Sequence, residues 1–232
     1  MSDRRLFYET IASEFDLLMN PYDLARRLSI VFEELLHGDL RGLRTLDLGC
    51  GTGWFSYWAV QRGALVISTD ISPSLVDTTR RRAQSLVAVG DGARLPFASN
   101  SFDLVITSEM IEHLEHPALG LEEINRILVP GGRVVLTTPN RRWLWLVSLS
   151  TRMRWRPFEG YENFWGFDEL EQMLVRLGMK IEIHLGFHPW PFQLAPLQKL
   201  SHLIDVNQGR GVWGKWMINQ AICARKLSRL GH

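Results

Sequence analysis

Three glycines at alternate positions, Gly49, Gly51 and Gly53, stand between a short apolar run and the apolar start of a helix. The stretch that contains them, residues 45–56, reads Thr-Leu-Asp-Leu-Gly-Cys-Gly-Thr-Gly-Trp-Phe-Ser. Because glycine has no Cβ, a bound molecule can approach the main chain here, and the positive φ angles of a sharp turn are allowed. The N–H groups at the start of the helix then face that molecule. The stretch therefore predicts a strand, a ligand-holding turn and a helix.

The spacing of these glycines restricts the kind of ligand. A dinucleotide site needs its third glycine one place later, at the position of Trp54, because helix and strand pack closely there around a pyrophosphate. An indole at that position argues against NAD. A glycine-rich turn with a purely structural role is the alternative.

Length and composition fit one α/β domain in the cytoplasm. The 232 residues carry a formal net charge of +1, so no nucleic-acid partner is expected. The two cysteines, Cys50 and Cys223, lack metal-ligand spacing and are expected to be reduced thiols. No signal peptide is expected at residues 1–5, and no run approaches the ~18 apolar residues that cross a bilayer.

Apolar runs and breaks predict alternating strands and helices. Two helices are expected in residues 6–36, separated by Pro21, and the first either acts as a flap over the glycine turn or packs as an ordinary helix. Strands are predicted at 44–48, 64–70, 85–89, 101–109, 133–138, 180–187 and 219–226. Further helices are predicted at 54–62, 74–84, 118–128 and 168–177.

Two aspartates follow strand ends at the carboxyl edge, where open α/β sheets bind ligands. Asp70 closes the second strand at an interval from the glycines that suits a carboxylate accepting from ribose hydroxyls. Capping the next helix is its alternative role, although Ser72 before Pro73 is the better cap. Asp91 can accept from an adenine amine, and the small Gly92 and Ala93 after it let the ring approach the backbone.

Five segments resemble, in order and spacing, the class I S-adenosylmethionine (SAM) methyltransferases of type 11/type 23, which include the ubiquinone-pathway O-methyltransferases. They are Asp47–Gly53, Asp70, Asp91–Phe97, Glu109–Pro117 and Pro130–Asn140. The resemblance implies a doubly wound, Rossmann-like seven-stranded sheet with SAM at the carboxyl ends of its strands. It assigns the methionine part of SAM to Gly49, Gly51 and Gly53, the ribose to Asp70, the adenine to Asp91 and Ala93, and the floor of the site to Glu109. The other expected SAM contacts are Asp47, Cys50, Ile71, Gly92 and Ser108.

The same resemblance divides the chain, residues 1–232, within a single methyltransferase domain. Residues 1–40 would form the helical flap and residues 41–140 the SAM-binding core. Residues 141–165 and 188–215 are expected to be insertions after the fifth and sixth strands, and both contain tryptophans.

Candidate catalytic groups cluster where the fourth strand ends, at Glu109, Glu112 and His113. If a helix starts at about Glu109, all three side chains could face the acceptor. The favoured interpretation is His113 as a metal-free general base. A divalent ion held by the three residues, as in some relatives, and a purely structural helix start are the alternatives. The relatives that bind metal add a histidine after the fifth strand, where this chain has Glu159, Tyr161 and Glu162 but no histidine.

The other histidines have lower rank as functional residues. His188 ends the sixth strand and is expected to be a second base beside the acceptor, whereas His184 is expected to be packed within that strand. The remaining histidines are interpreted as surface or capping residues: His37, His116, His202 and His232.

The tryptophan-rich insertions are expected to form the acceptor lid, since pockets on this plan are built by segments appended at strand ends. Acceptor contacts are expected from Tyr8, Phe15, His113, Trp143, Tyr161, Trp165 and His188. A hydrophobic subdomain without substrate contact is one alternative. In another, residues 143–147 and the arginines near them, Arg141, Arg142, Arg152 and Arg154, seat the protein on an anionic membrane.

The chain is therefore expected to be a SAM-dependent O-methyltransferase of a hydrophobic or aromatic small molecule, lipid precursor or glycosylated metabolite. N- or C-methylation of a small acceptor is the alternative within enzymes. A noncatalytic SAM-binding regulator or partner subunit is the alternative outside them. An RNA 2′-O-methyltransferase is disfavoured by the charge and by the missing downstream histidine. The identity of the acceptor and the oligomeric state stay open.

Overall fold

A computed structural model describes residues 7–145, 161–191 and 198–228. Its core is a seven-stranded sheet with the order β3-β2-β1-β4-β5-β7-β6. The first five strands run parallel, and β7 runs antiparallel to both β5 and β6. The strands are β1 Arg44–Leu48, β2 Leu65–Asp70, β3 Leu86–Val89, β4 Phe102–Ser108, β5 Leu128–Pro139, β6 Met179–Phe187 and β7 Asn219–Lys226.

Helices cover both faces of this sheet. They are α1 Phe7–Thr10, α2 Phe15–Leu18, α3 Pro21–Ser29, α4 Trp54–Gln61, α5 Pro73–Ala83, α6 Pro117–Ile127, α7 Phe167–Arg176 and α8 Gln198–Gln208. A π-helical turn, Ile30–Leu35, prolongs α3. Short 3-10 turns lie at Ala12–Glu14, Ile111–His113, Arg141–Trp143 and Val212–Trp216.

Alternate residues of the central strands enter two separate cores, as the period of two in a strand requires. On β4, Leu104 and Ile106 pack with α3, its π-helical extension and α4, whereas Val105 packs with α6 and α7. The predicted doubly wound α/β sheet of seven strands is confirmed, and its layers leave the carboxyl ends of the parallel strands open for a site.

Several boundaries differ from the sequence prediction. The predicted first N-terminal helix is broken into α1, a 3-10 turn and α2 before Asn20, whose side chain caps α3 by accepting from the Tyr22 and Asp23 N–H groups. Strand β5 begins at Leu128 rather than at Arg133, because the predicted Pro-Gly-Gly turn is an irregular part of the strand. No helix starts at Glu109, whose φ of +52° lies in the left-handed region.

The two expected insertions are described only in part. Residues 146–160 lie outside the described residues, and with them Leu146, Val147, Arg152, Arg154 and Glu159. Residues 192–197 of the second insertion, residues 1–6 of the flap and His232 lie outside them as well. Among the helices that are described, none is long and apolar enough to cross a membrane.

Candidate functional site

A cavity of about 1400 Å³ opens at the carboxyl ends of β1, β2 and β4. It exceeds the ~300–1,000 Å³ of a pocket for one drug-sized ligand, so it has room for a donor and an acceptor together. The N-terminal segment, residues 7–27, forms one wall. Most of the predicted site residues line it: Tyr8, Phe15, Gly49, Cys50, Gly51, Asp70, Ile71, Asp91, Gly92, Ala93, Ser108, Glu109, Glu112, His113 and Tyr161.

The glycine turn lines the cavity with main-chain atoms. The N–H groups of Gly49 and Cys50 donate to the Thr69 carbonyl on β2 at 2.8 and 3.0 Å, which fixes the turn to the sheet. Gly49 has a φ of +73°, and a Cβ added there would lie 2.2 Å from the Met110 Cγ. Both the backbone conformation and the contact therefore require glycine at this position.

Asp70 presents a carboxylate at the end of β2. It accepts the Gly51 N–H at 2.9 Å and the Ser72 N–H at 3.0 Å. A carboxylate has about four lone-pair positions, so acceptor capacity remains for two ribose hydroxyls. Burial raises the pKa of Asp70. The cap of α5 is Ser72, whose Oγ accepts the Leu75 N–H, so the capping role proposed as an alternative for Asp70 belongs to Ser72.

The loop after β3 supplies the next part of the wall. The Asp91 carboxylate accepts the Ala93 N–H at 2.9 Å, which closes a tight turn. A Cβ on Gly92 would lie 3.3 Å from Leu114 and 3.4 Å from Met110, so the small residue keeps this wall flat. These residues fit the flat ring and exocyclic amine of an adenine.

Glu109 forms the floor together with side chains from three other elements. Its carboxylate accepts from Thr137 Oγ1 at 3.0 Å and from Asn219 Nδ2 at 3.1 Å. Burial raises the pKa of Glu109, and the Arg27 guanidinium opposes that rise. Arg27 comes from α3 and donates to Asp23 and to Ser108 Oγ.

Arg27, Asp23 and Asn219 also contribute to this floor, although none of them is predicted from the sequence. Arg27 and Asp23 lie four residues apart on a helix far upstream of β4, and Asn219 opens the last strand. No local motif marks them, and only the tertiary fold brings them to Glu109.

Glu112 and His113 lie beside the floor on the 3-10 turn. Glu112 is fully buried and accepts from Thr138 Oγ1 at 3.0 Å. Burial and the nearby Glu109 raise the pKa of Glu112 well above its usual range. Its Oε1 lies 3.8 Å from His113 Nε2. Within the described ranges, no three His, Cys, Asp or Glu side chains are arranged to hold a metal ion, so Glu109, Glu112 and His113 do not form a ligand set there.

The His113 ring is oriented by the segment that follows β5. Its Nδ1 lies 2.8 Å from the main-chain carbonyl of Tyr161. A carbonyl only accepts hydrogen bonds, so Nδ1 carries the hydrogen, and in the neutral ring Nε2 carries the lone pair. The Tyr8 ring meets the imidazole edge to face at 5.1 Å between centroids. Nε2 is therefore the basic nitrogen of a ring that lines the cavity.

Two acidic side chains tie the N-terminal segment across the cavity. The Glu9 carboxylate accepts from Ser72 Oγ and from Ser74 Oγ. Asp16 accepts from Thr52 Oγ1 at 2.6 Å and pairs with Arg82 at 2.6 Å. These contacts join the predicted flap to the glycine turn and to α5 with its cap.

Two residues of the expected SAM site do not line the cavity. Asp47 lies under the turn, where Ser56 Oγ donates to its carboxylate, and burial raises the pKa of Asp47 to about 7. Gly53 is the N-cap of α4, with Thr79 Cα 2.9 Å from the place of its Cβ. Both residues shape the turn from outside, which corrects the expectation that they face the donor.

Three residues of the expected acceptor site are likewise absent from the described lining. His188 is fully buried, and its Nε2 lies 2.9 Å from Asp23 Oδ1, which corrects its expected position beside the acceptor. Trp143 donates from Nε1 to the Trp216 carbonyl, and Trp165 packs against the core that contains α6 and α7. Tertiary contacts with α3, with the turn Val212–Trp216 and with the core of α6 and α7 hold His188, Trp143 and Trp165, respectively. His184 is hydrogen-bonded to Glu171 and Gln220, as a packed histidine should be.

Comparison with known proteins gives a consistent result. The family model described as "Methyltransferase domain" matches residues 46–136. A demethylmenaquinone methyltransferase from Beutenbergia cavernae is 34% identical over 80% of this chain and 78% of that protein. A ubiquinone biosynthesis O-methyltransferase from Rhizobium etli is 32% identical over 72% of this chain and 71% of that protein.

A longer relative and a solved structure extend the comparison. The biotin biosynthesis bifunctional protein BioHC from Cellvibrio japonicus is 30% identical over 75% of this chain, which spans 38% of that protein. The crystal structure of a SAM-dependent methyltransferase from Mesorhizobium loti superposes with a TM-score of 0.65. That match covers 87% of this chain and 96% of that chain at 21% identity, and it is a match of fold.

Proposed function

The chain belongs to the class I SAM-dependent methyltransferases, and we propose that it methylates an oxygen atom of an apolar or aromatic small molecule with His113 as general base. SAM is the methyl donor of this family, and when bound it supplies an electrophilic methyl group on a sulfonium. In this chain Gly49 and Gly51 would hold its methionine part, Asp70 its ribose hydroxyls, and Asp91 with Ala93 its adenine.

The hydrogen bond between His113 Nδ1 and the Tyr161 carbonyl carries this proposal. It fixes the tautomer that has a basic Nε2, and it holds the ring in the cavity wall. An alcohol or phenol is a poor nucleophile until its proton leaves, so a positioned imidazole adds rate to O-methylation. The proton of the acceptor hydroxyl would pass to His113 Nε2.

The lining of the cavity supports an apolar acceptor. Apolar and aromatic side chains of the N-terminal segment face it: Phe7, Tyr8, Ile11, Phe15, Leu17 and Leu18. Such walls favour ligands with a large apolar surface and exclude water from the reacting atoms. The names of the Rhizobium and Beutenbergia relatives refer to quinones that such a wall would suit, and lipid precursors or glycosylated aromatic metabolites fit the same description.

The test is turnover of labelled SAM with a panel of phenols, catechols and quinols, compared between the parent protein and His113→Gln. We expect kcat to fall about 10²- to 10⁴-fold, as for loss of a general base, while affinity for S-adenosylhomocysteine stays within about twofold. His202→Gln, at an exposed histidine of α8, is the matched control and should behave as the parent.

Three results would contradict the proposal. Full activity of His113→Gln would exclude the base, and a product methylated on nitrogen or carbon would exclude the acceptor atom. Donor binding without turnover on any acceptor would favour a noncatalytic SAM-binding regulator or partner subunit. A parallel assay in EDTA with metal add-back tests the metal-free chemistry, because activity that needs the added metal would refute it.

A further inference from the structure

A group of exposed apolar side chains lies at the opposite end of the sheet from β3. The sequence Arg-Gly-Val-Trp-Gly-Lys-Trp, residues 210–216, leads into β7 and contains two basic residues and no acidic one. Val212 is 78% exposed, Trp213 67% and Trp216 55%. Trp145 is 62% exposed and stacks on Trp143, whose Nε1 donates to the Trp216 carbonyl. We call Trp145, Val212, Trp213 and Trp216 the tryptophan patch.

Main-chain contacts hold the turn that carries this patch. The Gly214 carbonyl lies so near Gly186 of β6 that a Cβ on Gly186 would be 2.0 Å from it. Asn140 Nδ2 donates to the Lys215 carbonyl, and Met217 is buried directly after the turn. The exposed tryptophan rings are therefore not needed to position the turn, and each leaves a large apolar surface in water.

Cations surround these rings. The Arg142 guanidinium lies 3.9 Å from the centroid of the Trp216 ring, a cation–π contact that keeps both groups at the surface. Arg210 and Lys215 belong to the turn, and Arg141 lies next to Arg142. The nearby acids are Asp168, paired with Lys215, Glu169, paired with Arg141, and Glu171, which also interacts electrostatically with Lys215. Among the described residues, four cations beside three acids leave the patch with a positive surround.

We propose that the tryptophan patch seats this protein on the surface of an anionic lipid bilayer. Indole rings prefer the zone between lipid tails and water because they are apolar with one polar N–H. The arginines and Lys215 would face the anionic headgroups, each adding to the attraction. Tryptophan and arginine are enriched in protein–protein interfaces as well, so the positive surround of the patch, and not its composition, is what favours an anionic lipid surface.

Membrane seating is independent of the acceptor and of His113, because it uses none of the cavity side chains. Binding to a lipid surface would be a separate property of the enzyme, in addition to methyl transfer. The two proposals therefore fail separately.

Sedimentation with vesicles tests it on the full chain. One set of vesicles contains phosphatidylcholine only, and the other contains equal parts of phosphatidylcholine and phosphatidylglycerol. We expect binding to the anionic set that weakens as salt is added, and an affinity at least about tenfold lower for the double variant Trp213→Ser/Trp216→Ser. Arg142→Gln should lose about fivefold on anionic vesicles.

Two matched controls separate the patch from general effects. Leu86→Thr removes an exposed apolar side chain on β3, at the other edge of the sheet, and Arg81→Gln removes an exposed cation on α5. Both should bind vesicles as the parent does, and all variants should keep the parent affinity for S-adenosylhomocysteine. The proposal is overturned if the parent binds no anionic vesicle at low salt, if it binds neutral vesicles equally well, or if the double tryptophan variant binds like the Leu86→Thr control.

Discussion

Replacing Asp47 by Asn should stabilise the protein relative to the parent, and this gain in the free energy of unfolding should grow from acid to alkaline pH. The Asp47 carboxyl is fully buried under the glycine turn, and burial raises its pKa from 3.8 to about 7. Ser56 Oγ donates to it, and an asparagine oxygen can accept the same bond. The substitution therefore removes the ionisation and keeps the contact.

The sign follows from where the proton is bound. Below about pH 4 both the folded and the unfolded chain hold this proton, and above about pH 7 neither does. Between these limits only the folded chain holds it, so the free energy of unfolding falls as pH rises. A pKa difference of about 3 corresponds to about 4 kcal/mol, an upper figure for a buried group that can relax. The Asp47→Asn variant is spared this loss, which amounts to a melting temperature about 10 °C higher at pH 8.

Urea unfolding of the parent and of Asp47→Asn, followed by tryptophan fluorescence across this pH range, measures the difference directly. Comparing the two proteins at each pH cancels the titration of all other groups. Asp39→Asn, at an exposed carboxylate, should change the free energy of unfolding by less than about 0.5 kcal/mol at every pH. A parent-minus-variant difference that stays constant from acid to alkaline pH would refute the account of Asp47 as a buried acid with a raised pKa.

Three further substitutions test the donor side of the cavity. Gly49→Ala should cost several kcal/mol more in unfolding free energy than the control Gly42→Ala, where φ is also positive but no atom lies within 4 Å of the added Cβ. Equal costs for the two variants would refute the clash of the Gly49→Ala methyl group with Met110. Asp70→Ala should weaken S-adenosylhomocysteine binding about a hundredfold or more by calorimetry, since two hydrogen bonds to a charged group are lost, and unchanged affinity would overturn the ribose assignment. Asp16→Asn should speed the release of S-adenosylhomocysteine about three- to tenfold in stopped flow, because the bonds of Asp16 to Thr52 and Arg82 hold the N-terminal wall. An unchanged release rate would mean that this wall does not control the exit of the donor product.

Local sequence rules are sufficient to predict the sheet and the loops that line the cavity at the ends of β1 and β2. The turn at Gly49 and Gly51 needs positive φ and close contacts, and both requirements are encoded in adjacent residues. Asp70 ends a strand, and parallel strands bring their carboxyl ends to one edge, so its place in the cavity follows from topology. Asp47 shows the limit of such rules: the motif marks the residue, but only the packing of Ser56 on α4 shows that its carboxylate faces the core.

Tertiary contacts between distant segments decide what sequence rules miss. The strand end predicts His188 beside the acceptor, yet Asp23, which is 165 positions away, draws its ring into the protein. Apolar periodicity predicts one helix before Pro21, but the structure has two separate helical pieces, and Glu9 in the first and Asp16 in the second bond to side chains beyond position 50. The apolar periodicity of the N-terminal segment carries no information about these distant hydrogen-bond partners.

The role of His113 depends both on a local sequence rule and on a tertiary contact. Its place after β4 follows from the strand end, and the sequence therefore identifies it as a candidate base. Its tautomer depends on the Tyr161 carbonyl, and every residue type has a carbonyl, so no side-chain pattern could reveal that contact. Residues 141–165 contain no histidine, and in this fold the same segment offers His113 a main-chain acceptor. An acceptor at Nδ1 leaves the lone pair of the neutral ring on Nε2, which is what proton abstraction requires.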